Sequence, residues 1–177
     1  MAGRIYERIM KIVVNASILD DRPSGLGIYT INVVSRLARI AMNEGDELII
    51  YTSYPEALGG AKENADLTIR RIPALVQPKY GKKAAFVRFI WNWAISPTVL
   101  RNSDIVYSPT HHGLYSGCPK QVITVHDILP VMFPDQHIYQ RWYFTYVLPR
   151  ILERSAAVIT DSESTRHDLH DFYKIPL

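Results

Sequence analysis

The chain has 177 residues, 47% of them hydrophobic and 21% charged, with a formal net charge of +3 and a pI near 9.0. That size and apolar content suit one folded domain with a full core and exclude a disordered chain. The mild basicity lacks the clustering of a nucleic-acid binder, so nucleic acid is not expected, and the balance points to anionic partners such as phosphates or lipid head groups.

The opening stretch "MAGRIYERIMKIVVNAS" carries charges within any apolar core, so it does not read as a signal peptide, and no apolar run approaches a membrane span. A single cysteine, Cys118, excludes an internal disulfide and suits a reducing compartment. The chain is therefore expected to be cytoplasmic. "KIVVNAS", Lys11 to Ser17, is short and β-branched, as a buried strand should be. A loop, "RPSGLG", leads into a helix with Val33, Leu37, Ile40 and Ala41 as its apolar face, ending between Asn43 and Gly45. "ELIIYT" reads as a second strand and "DLTIRRIP" as a weaker third, stopped by Pro73.

Tyr80 to Arg101 is a basic and aromatic segment, read most simply as a helix with an aromatic core face and a wet basic face. "DIVYSP" and "KQVITVHD" are two further strands, and "IYQRWYFTYVLPRILERS" is a helix bent at Pro149. "AAVITDSESTRHDLHDFYKIP" closes as a strand and a helix, with Ser162 or Thr160 as cap and Glu163 in the first turn. Continuously apolar strands alternating with helices predict an α/β, doubly wound, mostly parallel Rossmann-like sheet covered on both faces, spanning 1–177 as a single domain.

In such sheets ligands lie beyond the carboxyl ends of the strands. That selects Ser17 to Gly27, Ser108 to Gly113, His126 with Asp127, and Asp161 to Ser164. Gly25, Leu26 and Gly27 open a helix whose N–H groups suit a phosphate, though a plain tight turn uses the same residue types. A third fingerprint glycine is missing, Asp46 and Glu47 precede the second strand instead of ending it, and no P-loop follows, which disfavours NAD.

His126 stands directly after a strand and is the candidate catalytic residue, able to bond a sugar hydroxyl or steady a negatively charged leaving group. His111 and His112 lie on the adjacent rim. In an extended segment they would point to opposite sides, and nothing completes a known ligand spacing, so no metal is expected. His167, His170 and Asp171 share a helix face and read as solvated; Asp161 to Glu163 reads as a cap before a metal motif. Asp20 and Asp21 resemble a receiver-domain pocket, but that fold is shorter. Lys82, Lys83, Arg88 and Trp91 suit a contact with an anionic membrane or a lipid-linked substrate.

A strand leading into "SGLGIYT", then "VHDILPVMFP", then "QRWYFTYVLPRILERSAAVITDSESTRHDL", resembles the N-terminal half of a group 1, family 4 GT-B glycosyltransferase. The likeness runs in order over nearly the whole chain. It implies an acceptor-binding domain facing a donor-binding partner domain across a cleft, with retention of anomeric configuration. Gly25 and Gly27 then match the loop that approaches the donor diphosphate, and His126 matches the histidine beside the donor sugar. Ser162 and Glu163 match the "SE" opening the last helix, and Asp127 only neighbours the histidine.

The implied partners are a nucleotide-sugar donor, as co-substrate without any metal cofactor, and a glycan or lipid-linked glycan acceptor of bacterial surface polysaccharide synthesis. The family's diphosphate-binding Arg and Lys and its paired glutamates belong to a donor domain beyond "YKIPL". The chain alone is thus expected to be inactive. The competing readings are a nucleotide-sugar 2-epimerase and a non-catalytic binding module or partner-dependent subunit.

Overall fold

The computed structural model describes residues 9–59, 67–115 and 120–176. Cys118 and the first eight residues lie outside them. Six strands, β1 (Lys11–Asn15), β2 (Glu47–Thr52), β3 (Leu67–Arg71), β4 (Ile105–Ser108), β5 (Gln121–Val125) and β6 (Ala157–Thr160), form one sheet in the order β3-β2-β1-β4-β5-β6. Every pairing is parallel. The two halves diverge between β1 and β4, which makes that boundary the switch point of a Rossmann-like fold, as expected.

Helix α1 (Gly25–Glu44) ends on Gly45, whose positive φ of 77° lets its N–H reach the carbonyls of Ala41 and Met42. The buried positions of α1 are Gly27, Thr30, Val34, Ala38 and Ala41. Ile40 is exposed and Val33 and Leu37 are half-buried, so the buried stripe lies one position round from the expected one. It covers Val14, Leu48 and Ile50 on one sheet face. Alternation along the strands sends Val13, Ile49 and Val106 to the other face, against Val99 of helix α2 (Gly81–Arg101). Asp46 accepts the Met10 N–H at 2.8 Å, which places it at the amino end of the sheet, remote from any ligand crevice.

After β5 come a short helix α3 (Leu129–Met132), α4 (Ile138–Trp142), a π-type turn (Tyr143–Val147) and α5 (Leu148–Glu153). The irregularity expected at Pro149 falls just before it. Proline has no N–H for the carbonyl four residues back, and the chain responds by widening the preceding turn. That turn buries Phe144 and Val147 with Leu148, Ile151 and Leu152 over Ile123 and Val125 of β5. Helix α6 (Glu163–Tyr173) is capped by Ser162, whose Oγ accepts the Thr165 N–H at 3.1 Å; Thr160 is the last residue of β6.

Candidate active site

The strand register builds the site. Val125 of β5 pairs with Thr160 of β6, so the next residues, His126 and Asp161, leave the sheet side by side. His126 Nδ1 lies 2.9 Å from Asp161 Oδ2 and its Nε2 lies 3.1 Å from the Pro109 carbonyl oxygen. Both partners accept and neither donates. Whichever nitrogen carries a proton therefore donates to the oxygen beside it. Thr165 Oγ1 donates to the His126 carbonyl at 2.9 Å and ties the backbone to α6. The side chain is 12% exposed, enough to be reached from the crevice.

Helix α1 meets this histidine through Tyr29. Tyr29, in the second turn of α1, sets its ring edge-on to the imidazole at a centroid distance of 4.6 Å and 84°. Its hydroxyl lies 3.3 Å from that of Tyr107, which lies 2.9 Å from Thr124 Oγ1. Burial pushes the Tyr107 hydroxyl well above its ordinary range, so it stays neutral. At the head of α1, Ser24 is the N-cap residue but makes no side-chain cap, and no acidic residue stands in the first turn. A Cβ on Gly27 would fall 2.7 Å from Pro23 Cβ, so only glycine fits that turn. Gly25 has open space around it. The result is a helix start with its partial positive charge unneutralised, the arrangement that favours an anion.

A second cluster stands at the switch point. Asn15 Nδ2 donates to the His112 carbonyl at 2.8 Å and to Asn92 Oδ1 at 3.1 Å. Arg88 is 4% exposed, donating to the Val76 carbonyl through Nε at 3.2 Å and Nη2 at 2.6 Å, with Nη1 2.9 Å from His112 Nε2. An arginine only donates, so His112 accepts at Nε2 and keeps its proton on Nδ1. Burial lowers the Arg88 pKa to about 10, which leaves it charged at neutral pH. Tyr143 donates to the His111 carbonyl at 2.8 Å. The buried Ser17 Oγ, just past β1, has no hydrogen-bond partner.

His111 and His112 do not diverge. Their ring centroids are 4.2 Å apart, because the segment turns tightly, with the Gly113 N–H returning to the His111 carbonyl at 3.0 Å. Burial, then Arg88 and His126, lower His111 to about 3; burial, His111 and Arg88 hold His112 well below its ordinary value. Both are neutral in the folded protein. The sign of the pH effect follows. Below about 6.5 the unfolded chain takes up protons that the folded chain refuses, so stability is full above that pH and falls as pH drops from 6.5 towards 3. Urea midpoints measured from pH 7 to pH 4 should decline, and His111→Phe should make the decline shallower.

Among the described residues no cluster of three His, Cys, Asp or Glu side chains suits a metal ion. The model of the family described as Glycosyltransferase Family 4 matches residues 23–177. The chain belongs to glycosyltransferase family 4. It is also similar to the O-antigen chain mannosyltransferase RfbU of Salmonella typhimurium, 28% identical over 172 residues, which cover 93% of this chain and 45% of that protein.

Other expected residues of this family 4 domain fall elsewhere. Asp127 Oδ1 accepts the Leu129 N–H at 3.1 Å and shapes the turn into α3. Ser162 caps α6, and Glu163, exposed, pairs with Arg166 at 3.2 Å. Lys82 and Lys83 are exposed on α2. Arg88 and Trp91 are not on their side of the helix: Arg88 is buried in the switch-point cluster, and the Trp91 ring lies 5.8 Å from Tyr51 over the sheet. Neither is placed to meet a membrane: the stripe of α2 that turns inward, Ala84, Arg88, Asn92 and Ser96, is largely polar, so polarity along this helix does not mark its wet face. Asp161 as the partner of His126, Tyr29, and the Asn15–Asn92 pair were not read from the sequence. The rim rule does select Asp161; the pairing needs the β5–β6 register.

Proposed function

We propose that this domain is the acceptor-side half of a retaining GT-B enzyme. The complete enzyme moves a sugar from a nucleotide-sugar donor to a glycan or lipid-linked glycan in surface polysaccharide synthesis, at the cytoplasmic face of the membrane. The observation that supports the reading is Tyr29, which sets the helix begun by the uncapped Gly25–Gly27 turn against His126 at one end of the sheet. Transfer leaves negative charge on the departing diphosphate. A helix start with about half a positive charge and an imidazole held by Asp161 oppose that charge from fixed positions, where stabilisation costs no reorganisation.

The chain spans under half the length of the relative it matches. Donor binding is assigned to a second domain, and this chain alone gives no turnover. No metal ion is required, since helix N–H groups and cationic side chains supply the counter-charge. The test is incorporation of labelled sugar into a glycan acceptor by the full-length protein. A nucleotide-activated mannose is the first donor to try, given the name of the relative. The rate should be unchanged by a chelator; loss of rate on chelation and recovery with a divalent cation would refute the metal-free scheme, and transfer by residues 1–177 alone would refute the two-domain scheme.

A further inference from the structure

Helix α2 carries a second face that the site does not use. Lys82, Phe86, Phe89 and Trp93 recur at i, i+4, i+7 and i+11 and so line one stripe. Phe86 is 66% exposed and Trp93 56%, with Ile90 exposed beside them. The stripe does not end at the helix edge. Phe89 meets Trp142 of α4 edge-on at 5.9 Å, and Lys82 Nζ stands 3.2 Å from the centre of the Tyr139 ring. Tyr139 is 72% exposed and Trp142 55%. Two elements, about fifty residues apart in sequence, thus make one continuous aromatic surface.

Within the two segments that carry it the charge has one sign, with Asp21 on Lys79 and exposed Asp135 just outside them. No Asp or Glu occurs from 67 to 103 or from 136 to 152, whereas Lys82, Lys83 and Arg141 are exposed there. Exposed aromatic rings on segments whose charged residues are all cations are the chemistry of a protein lying in the head-group layer of an anionic bilayer. The rings enter the interface and the cations meet lipid phosphates. A protein partner's interface would need no such exclusion of acids.

We infer that the joint face of α2 and α4 docks the protein onto an anionic lipid surface, through Phe86, Trp93 and Trp142 with Lys82 and Lys83. This deepens the membrane placement proposed above and replaces the buried Arg88 and Trp91 as its contacts. It would also hold the cleft close to a lipid-linked acceptor.

The test is flotation of the full-length protein with phosphatidylglycerol–phosphatidylcholine vesicles against pure phosphatidylcholine, at low and high salt. The protein should float with the anionic vesicles only, and less at high salt. Phe86→Ser with Trp93→Ser should abolish flotation, and Lys82→Glu with Lys83→Glu should lower partitioning at least about tenfold, each without moving the urea midpoint. No binding to anionic vesicles overturns the inference. So does binding that these variants leave intact, or a dimer that they dissociate in place of vesicle binding. Flotation needs no donor, so its failure leaves the transfer assay untouched, and a failed transfer assay leaves the docking face untouched.

Discussion

Replacing His126 by alanine in the full-length protein should lower kcat for sugar transfer by about 10²–10³-fold, the usual loss on removing one donor from a developing negative charge, with substrate taking over the Nε2–H from the Pro109 carbonyl. The fold should survive. The backbone carbonyl that Thr165 holds is unaffected, and the side chain is partly exposed, so no closed cavity forms. Asp161 acts through the ring and is a positioning residue. Asp161→Asn keeps an oxygen for Nδ1 but removes the negative charge, while Asp161→Ala removes both, at a half-exposed site where stability changes little. Asp161→Ala should cost up to about 10²-fold in kcat with donor KM nearly unchanged, because a misoriented group loses rate before it loses binding. Asp161→Asn should recover part of that loss. Equal kcat for His126→Ala and the unmutated protein would return the domain to the binding-module reading.

The second large effect is expected at Arg88. Arg88→Ala should destabilise the protein by about 3 kcal/mol, since the Val76 carbonyl and His112 Nε2 are both left without their donor inside the fold. The relief of a desolvated guanidinium offsets part of this but not the packing of its stem. Arg88→Lys should recover little, because an ammonium cannot serve Val76 through two nitrogens and still reach His112. The urea midpoint should fall with the slope unchanged. Function should suffer separately from stability, as the His112 carbonyl is anchored to Asn15 and the loop carries both histidines. An Arg88→Ala protein of ordinary stability would mean that the 74–80 turns and the 109–113 loop are held by other contacts.

Most of the architecture is legible in the chain order of residue types. "KIVVN", "ELIIYT", "IVYS" and "QVITV" are strands because β-branched, apolar residues are buried on both faces of a parallel sheet. Gly45 ends α1 because its left-handed φ admits no side chain cheaply, and Ser162 caps α6 because its hydroxyl reaches a free N–H. These are local causes acting over a few residues. The rim rule follows from them and places the glycine turn, His111–His112 and His126 at one end of the sheet.

Contacts between elements were decided elsewhere. The His126–Asp161 pair spans 35 positions and exists because β5 and β6 are neighbours in one register. The inward turn of Arg88 and Trp91, and the outward turn of Phe86 and Trp93, depend on which side of α2 meets the sheet. The buried stripe of α2 holds Arg88, Asn92 and Ser96 while Phe86 and Trp93 face out, so its hydrophobic pattern points away from the face that meets the sheet. The sequence by itself determined the strands, the ends of α1 and the cap of α6, and the family. The tertiary structure alone decided which polar groups share a proton, which charge is buried, and which aromatic face is left for a partner, because side chains far apart in the chain interact only once the sheet has brought them together.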